Sequence, residues 1–127
     1  MINRKKKIVI VGGGLAGLAL AMKFCERNGQ VTVVSYQALK RSHSVCAQGG
    51  INAAIDAKNE GDTPEKHFYD TIKGGDFLAP QPLVRDMCFQ APAIIHLMDR
   101  MGLAFNRTGE GHLDFRRFGG TLYNRTA

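Results

Sequence analysis

A β-branched run that ends in a cluster of glycines is the feature that most limits how this chain can fold. Ile8–Val11 is a short apolar run, typical of a strand buried on both faces, and the glycines follow it at once. Leu15–Arg27 has apolar residues at helical spacing, and Asn28 and Gly29 tolerate the left-handed backbone that ends helices. Val31–Val34 is predicted to be a second buried strand. The order predicts a β-α-β unit with a right-handed crossover and parallel strands.

The glycine cluster between the first strand and the helix fits the pattern G-x-G-x-x-G. In this pattern the first glycine permits a tight turn, the second lets the backbone approach a pyrophosphate, and the third lets the helix pack closely on the strands. The helix N-terminus adds free N–H groups and a positive dipole end, which favour an anion. The residues of the pattern are Gly12, Gly13, Gly14, Leu15, Ala16 and Gly17. A glycine turn without a ligand is the alternative, but the β-α-β order favours a dinucleotide site.

The residue after the second strand departs from the simplest dinucleotide pattern. An Asp or Glu usually stands there and binds a ribose hydroxyl, whereas this chain has Ser35, followed by Tyr36 and Gln37. A serine can still hydrogen-bond a ribose, but more weakly than a carboxylate does. This position therefore disfavours a generic NAD enzyme.

A segment of mostly small residues, 41–53, follows the second strand and carries one histidine, His43. We expect it to form a loop at the carboxyl edge of the sheet, where ligands bind in folds of this kind. Gly49 and Gly50 would let backbone N–H groups come close to a planar ring, and Gln48 can both donate and accept hydrogen bonds. His43 is a candidate nucleophile in its neutral form.

Two helices are predicted downstream of that segment. Thr63 is a favourable N-cap with Pro64 at the first helical position, and the helix should run to about Lys73, before a pair of glycines. Pro82 opens the next helical stretch, which Pro92 is expected to break or kink.

The remainder of the chain is predicted to contain the end of that helix and a hairpin. Gly102 ends the helix, and Leu103–Arg107 is expected to pair with Leu113–Arg117 across a glycine-containing turn. No third central strand is evident, so we expect an α/β protein that is a truncated part of a longer enzyme. The apolar residues expected to pack in the core near the helix end are Ile94, Ile95, Leu97, Met98 and Met101.

Composition narrows the class of protein further. The net charge is +6, partly from the basic run at residues 4–7, which we interpret as a solvated leader and not a nucleic-acid site, because no aromatic residues interleave it. No apolar run reaches the length of about 18 residues that spans a bilayer, and a non-secreted protein is expected. Cys25, Cys46 and Cys88 are too widely spaced for a disulfide framework or a metal site, and are interpreted as inert thiols.

The segment R-S-H-S-V-C-A-Q-G-G-I, which starts at Arg41, resembles the flavoprotein subunit of succinate dehydrogenase and fumarate reductase. The resemblance continues through Gly61-Asp62 and Asp70-Thr71 to the R-F-G-G motif at Arg117, and covers essentially the whole chain. It implies a Rossmann-like FAD-binding domain in which a ring nitrogen of His43 carries FAD covalently. The implied FAD-binding residues are Gly12, Gly13, Gly14, Leu15, Ala16, Gly17, Ser35, Arg41, Ser42, His43, Ser44, Ala47, Gln48, Gly49 and Gly50.

The resemblance also implies an activity, partners and a location. Succinate would lose a hydride to the flavin and a proton to a base, giving fumarate, or the reverse, in electron transport and the tricarboxylic acid cycle. Gly49 and Phe118 would approach the dicarboxylate. The family's proton-transferring arginine and substrate-binding histidines would lie beyond Ala127, so no catalytic residue is expected here and the isolated chain should be inactive. Electrons would pass to an iron–sulfur subunit and quinone, at a membrane anchor subunit on the cytoplasmic face of the membrane.

Other interpretations stay open at this point. An L-aspartate oxidase shares the glycine turn and the A-Q-G-G-I segment, but holds FAD non-covalently and lacks the histidine. A plain NAD-binding module or a non-catalytic dinucleotide-binding domain is a second alternative, which Ser35 and His43 disfavour. The histidines His67, His96 and His112 are expected to be surface or hydrogen-bonded residues without a catalytic role.

Overall fold

The computed structural model describes residues 6–127. The basic run at residues 4–7 lies partly outside them, and Lys7 already belongs to the first strand. The chain forms two compact units, one that ends at Gln48 and one that spans Gly49–Ala127. No helix of the described residues is both long and apolar enough to cross a bilayer.

The first unit is built on the predicted β-α-β order. Strand β1 spans Lys7–Val11, helix α1 spans Leu15–Cys25 and strand β2 spans Gln30–Val34. The two strands are parallel, as predicted, with β1 and β2 paired from end to end. Helix α1 ends slightly before the predicted boundary, and Asn28 has the expected left-handed backbone with φ of 58°. A 3-10 turn at Leu39–Arg41 follows β2.

The prediction that both strands are buried on both faces is wrong for the described residues. Ile10 is buried, whereas Val9 and Val11 of the same strand are 67% and 86% exposed. Strand β2 shows the same alternation, and Val34 is 50% exposed. The reason is that helix α1 packs on the two strands as a single layer, while the alternating side chains of a strand point to opposite faces.

The second unit contains two longer helices that pack against each other. Helix α3 spans Pro64–Gly74, and the Thr63 hydroxyl accepts a hydrogen bond from the N–H of Lys66, which confirms the predicted cap. Helix α4 spans Gln81–Arg100. The short helix α2, His43–Cys46, belongs to the first unit and comes before α3 and α4 in the chain. Gly102 follows α4 with a positive φ of 91°, as expected for a helix terminator.

Pro92 lies inside helix α4 and does not break it, contrary to one of the two predicted outcomes. A proline removes one backbone hydrogen bond, which other interactions can offset. In α4 the neighbouring turns are fixed by burial, since Cys88, Ala91 and Ile95 all lie on the buried face. Packing therefore keeps the helix continuous through the proline.

The core of the second unit is small and joins α4 to the loops on either side of it. Its buried residues are Ala53, Ala91, Ile95 and Phe115. Of the apolar residues expected near the end of α4, Ile95 is fully buried, whereas Ile94 is 41% exposed and Met101 is 60% exposed. The predicted core cluster is thus confirmed only on the face that carries Ile95.

The predicted hairpin is present as a turn without regular strands. Arg107 and Leu113 form an antiparallel bridge, and the N–H of Thr108 donates to the carbonyl of His112 at 2.8 Å. A second set of backbone pairs was not predicted. Residues 51–53 and Arg116 lie on opposite sides of residues 125–127 and pair with them in antiparallel bridges. We call these three paired segments the backbone ladder.

Replacing Ile95 by alanine should destabilise the second unit by about 3 kcal/mol, because truncating a fully buried isoleucine loses transfer energy and leaves a cavity. Ile94→Ala is the matched control, since the same change at a partly exposed neighbour should cost under about 1 kcal/mol. Urea unfolding followed by circular dichroism measures both. Equal losses for the two variants would contradict the burial described here.

Candidate functional site

The glycine turn has the geometry that a dinucleotide-binding turn requires. Gly12 has a φ of 116°, which side-chain-bearing residues rarely adopt, and its N–H donates to the Val34 carbonyl at 2.8 Å. A side chain at Gly17 would overlap the carbonyl oxygen of Gly12 and would contact Ile10. The first and third glycines of the pattern therefore have the structural roles that the sequence predicted: one permits the turn, and the other permits close packing of the helix.

Two serines are brought to this turn from later parts of the first unit. The backbone N–H of Leu15, in the first turn of α1, donates to the Ser44 hydroxyl at 3.0 Å. A Cβ at Gly13 would lie 2.9 Å from the Ser35 hydroxyl oxygen, so Ser35 borders the turn as well. Gly14 is the N-cap of α1, and a Cβ there would meet only the Ser44 hydroxyl, at 3.3 Å. The second glycine therefore leaves open space beside the helix N-terminus.

The histidine segment was predicted to be a loop, and it contains one turn of helix. His43 is the first residue of α2 and is exposed, while Ser42 before it is 9% exposed. Arg41 ends the 3-10 turn, and its carbonyl accepts a hydrogen bond from Gln37 at 2.8 Å. Ala47 follows α2 directly and is exposed, as is Gln48. The local helix arises because residues 42–47 form their own hydrogen bonds, from Val45 and Cys46 back to Ser42 and from Ala47 back to His43.

In the second unit, the structure brings together the two residues predicted to approach the substrate. A Cβ at Gly49 would lie 3.3 Å from the ring of Phe118. Arg116 lies beside both, because its guanidinium stands 4.9 Å from the centre of the Phe118 ring and 3.5 Å from the Gly49 carbonyl oxygen. No role was predicted for Arg116 from the sequence. Its position two residues before Phe118 was the signal that could have placed it here.

A buried ion cluster lies next to the backbone ladder. Arg125 is 1% exposed, and it donates two hydrogen bonds to the Asp62 carboxylate, at 2.7 and 3.0 Å. The Asp70 carboxylate lies 3.0 Å from the same guanidinium and makes an ion pair with it. A buried arginine requires such partners, because an unpaired charge is costly to remove from water. Neither the burial of Arg125 nor these partners were predicted from the sequence.

His67 was expected to be a surface or hydrogen-bonded histidine, and that expectation is wrong. It is 5% exposed, and its Nδ1 atom has no hydrogen-bond partner among the described residues. Burial lowers the pKa of His67 below its ordinary value of 6.5, and the charge of Arg125 lowers it further, against the opposing effect of Asp62 and Asp70. His96 and His112 are exposed, as expected.

His67 lines a cleft of about 520 Å³, together with Asn52, Asp70 and the glycines after Phe118. The cleft is partly open to solvent and combines a carboxylate, hydroxyl groups and glycine backbone in its walls. Within residues 6–127, no group of three or more His, Cys, Asp or Glu side chains is placed to hold a metal ion.

The lowered pKa of His67 predicts a pH-dependent stability. Between the ordinary pKa of about 6.5 and the lower folded value, the unfolded chain binds a proton at His67 and the folded chain does not. The free energy of unfolding should therefore be constant above pH 6.5, as far as His67 contributes, and should decrease as the pH falls below it. His67→Gln should flatten this slope, whereas His96→Gln at an exposed position should preserve it. Urea titrations at several pH values measure the slope, and an unchanged slope in His67→Gln would refute this assignment.

Known proteins match this chain along almost its whole length. The family described as FAD binding domain matches residues 7–127. The succinate dehydrogenase flavoprotein subunit of Bacillus subtilis is 61% identical over 97% of this chain and 21% of its own length. This chain therefore spans about a fifth of the length of that relative.

Solved structures show the same likeness in three dimensions. The Sdh1 complex of Mycobacterium smegmatis, in its apo form, contains a chain that matches with a TM-score of 0.88 and 34% identity, over 97% of this chain and 21% of that one. An E. coli quinol fumarate reductase matches with a TM-score of 0.81 and 32% identity, over 95% of this chain and 21% of that one. The family match over residues 7–127 shows that this chain belongs to the FAD-binding domain family, and the chain is similar to part of the flavoprotein subunits of succinate dehydrogenase and fumarate reductase.

Proposed function

We propose that this chain supplies the FAD-binding part of a flavoprotein subunit that oxidises succinate to fumarate, or catalyses the reverse reaction, with FAD attached to His43. The observation that carries the proposal is the hydrogen bond from the Leu15 N–H to the Ser44 hydroxyl. This hydrogen bond connects the glycine turn, at the start of α1, to Ser44, the residue directly after His43. The first unit would therefore hold both the pyrophosphate and the covalent link of FAD.

The glycine turn would hold the diphosphate of FAD. Open space at Gly14 lets the backbone approach the anion, and the first turn of α1 presents N–H groups and the positive end of its dipole. The Ser44 hydroxyl, which accepts from Leu15, keeps its own hydrogen available for a phosphate oxygen. Ser35 borders the turn and would hydrogen-bond the ribose. Gly13, Ala16 and Gly17 complete the turn around these groups.

The segment from Arg41 to Gly50 would hold the flavin ring. His43 is exposed and begins a short helix, so its imidazole is accessible for attachment through a ring nitrogen. Bound FAD supplies the hydride acceptor, and an imidazole linked to the ring withdraws electron density, which favours oxidation of a poor donor such as succinate. Backbone N–H groups at Gln48, Gly49 and Gly50 would stabilise negative charge on the reduced ring. Arg41, Ser42 and Ala47 would support this segment.

Gly49 and Phe118 would form one wall of the dicarboxylate site. The absence of a side chain at Gly49 lets the Phe118 ring approach it closely, which leaves a flat apolar surface for the carbon chain of the substrate. Arg116 beside them adds positive charge, which favours a dianion. The groups that transfer the proton and bind the carboxylates would come from elsewhere in the intact protein.

The intact protein would pass electrons onward from the flavin. By analogy with the relatives, it would bind an iron–sulfur subunit and a membrane anchor subunit at the cytoplasmic face of the membrane, and the final acceptor would be a quinone. The match to succinate dehydrogenase and quinol fumarate reductase structures supports these partners. This chain covers about a fifth of the relatives' length, and its residues would supply the cofactor side of the reaction.

Replacing His43 by serine in the intact protein should abolish covalent flavin. After acid denaturation and gel electrophoresis, the band of the unaltered protein should fluoresce under ultraviolet light, and that of His43→Ser should not. His112→Ser is the matched control, because His112 is also exposed but lies in the hairpin turn, and its band should fluoresce normally. Release of all flavin by the unaltered protein would exclude attachment through His43 and would favour a non-covalent FAD enzyme such as L-aspartate oxidase.

Gly14→Ala should weaken FAD binding by at least about tenfold, because the added methyl group occupies the space for the diphosphate and must also push aside the Ser44 hydroxyl, 3.3 Å away. Circular dichroism should show that the fold is retained. The comparison is best made in the His43→Ser background, where FAD can exchange and its dissociation constant can be measured by dialysis. Gly74→Ala is the control, since a Cβ there meets nothing within 4 Å. Equal FAD affinity in both glycine variants would argue against a diphosphate at this turn.

A further inference from the structure

The Arg125 side chain joins three separate segments of the second unit. Asp62 lies in the loop before α3, Asp70 lies within α3, and Arg125 lies in the central segment of the backbone ladder. Asp62 binds both the Nε and an Nη atom of the guanidinium, a two-point contact that fixes its direction as well as its distance. The side chains of Arg125 and Asp62 are almost completely removed from solvent. This ion cluster therefore anchors the start of the central segment to α3 and its preceding loop.

The central segment in turn fixes the segments on either side of it. On one side, the Arg125 carbonyl accepts from the N–H of Ala53 at 2.7 Å, and Ala127 exchanges two hydrogen bonds with Ile51, at 2.9 and 3.1 Å. On the other side, Thr126 exchanges two hydrogen bonds with Arg116, at 3.0 and 3.1 Å. Thr126 also donates through its hydroxyl to Asn52. The register of both neighbours is thus set by residues 125–127.

The two outer segments lead directly to the proposed substrate wall. Gly49 stands two residues before Ile51, and Phe118 stands two residues after Arg116. Gly50 lies between Gly49 and the first residue of the ladder, Ile51, and has a φ of 86°. A Cβ at Gly50 would lie 2.5 Å from the carbonyl oxygen of Ala127. The chain is packed so closely at Gly50 that a shift of the central segment would be transmitted to Gly49.

We propose that Arg125 is a positioning residue for the dicarboxylate. Its side chain is 1% exposed, and its ion pairs with Asp62 and Asp70 hold the backbone ladder in the register that sets the spacing of Gly49 and Phe118. The inference rests on the proposed function and adds to it a residue that the resemblance did not assign. Buried ion pairs often contribute little net stability compared with apolar replacements, so a role in fixing one arrangement accounts better for burying the charges of Arg125 and Asp62.

The test uses the intact, flavin-containing protein with Arg125→Lys. Lysine keeps the charge but cannot make the two-point contact with Asp62. The KM for succinate should rise about tenfold while kcat changes less than about threefold, because the loss is in substrate binding. The dissociation constant of malonate, a dicarboxylate that does not react, should rise in parallel when followed by the flavin spectrum. The covalent flavin content should stay unchanged.

Arg107→Lys is the matched control, since Arg107 also pairs with an aspartate, Asp99, but the pair is exposed and lies at the hairpin turn. Its KM and malonate affinity should equal those of the unaltered protein. Asp70→Asn is a milder variant in case Arg125→Lys does not fold, because Asp70 is partly exposed, and it should raise KM about threefold.

The result that would overturn the positioning role is a lower melting temperature with unchanged KM and unchanged malonate affinity, in Arg125→Lys or, if that variant does not fold, in Asp70→Asn. This result would leave the proposed function intact. An unaltered protein that neither oxidises succinate nor binds malonate would instead overturn the proposed function, and the role of Arg125 with it. The activity of the unaltered protein therefore distinguishes the two failures.

Discussion

The close approach between the Gly12 carbonyl and the Cα of Gly17 is the constraint on which the candidate cofactor site depends. It brings the first turn of α1 against the end of β1, and the Gly12 N–H holds the same turn to the end of β2. Any side chain at position 17 would push the helix away from the strands. The direction of α1, and hence the place to which its N-terminal N–H groups point, follows from this one contact.

The second unit uses a different kind of constraint. Its apolar core is small, and much of its loop structure is fixed by carboxylates. Asp56 accepts hydrogen bonds from three backbone N–H groups at positions 60–62, and Glu60 binds Asn124 and Arg117. These bonds lower the pKa of Glu60, with the backbone N–H of Asn124 as the largest cause. A short acidic loop thereby organises the long irregular segment that ends the chain.

The sequence predicted the parts of the fold that depend on neighbouring residues. The glycine turn, the Thr63 cap and the left-handed Asn28 are local features, and each was placed correctly. The continuous α4 was not, because the effect of Pro92 is offset by burial of Cys88 and Ile95, which the local sequence does not reveal. The burial of Arg125 and the pairing of Thr126 with Asn52 were missed for a related reason, since Asp62 and Asn52 lie more than sixty positions from these partners. Among the site residues, the structure brings Gly49 and Phe118 together, while their approach to a dicarboxylate stays a prediction. The burial of His67 depends on residues that only the fold brings to it.

The exposed valines of the two parallel strands have a consequence for how such a polypeptide behaves in water. Val9, Val11 and Val34 form an apolar stripe on the sheet face opposite α1, and parallel sheets are ordinarily covered on both faces. Left bare, a stripe of this kind attracts other apolar surfaces, including its own copies, so concentrated solutions of the chain would tend to aggregate. Solubility, and not only cofactor chemistry, therefore favours a second layer of structure over these strands.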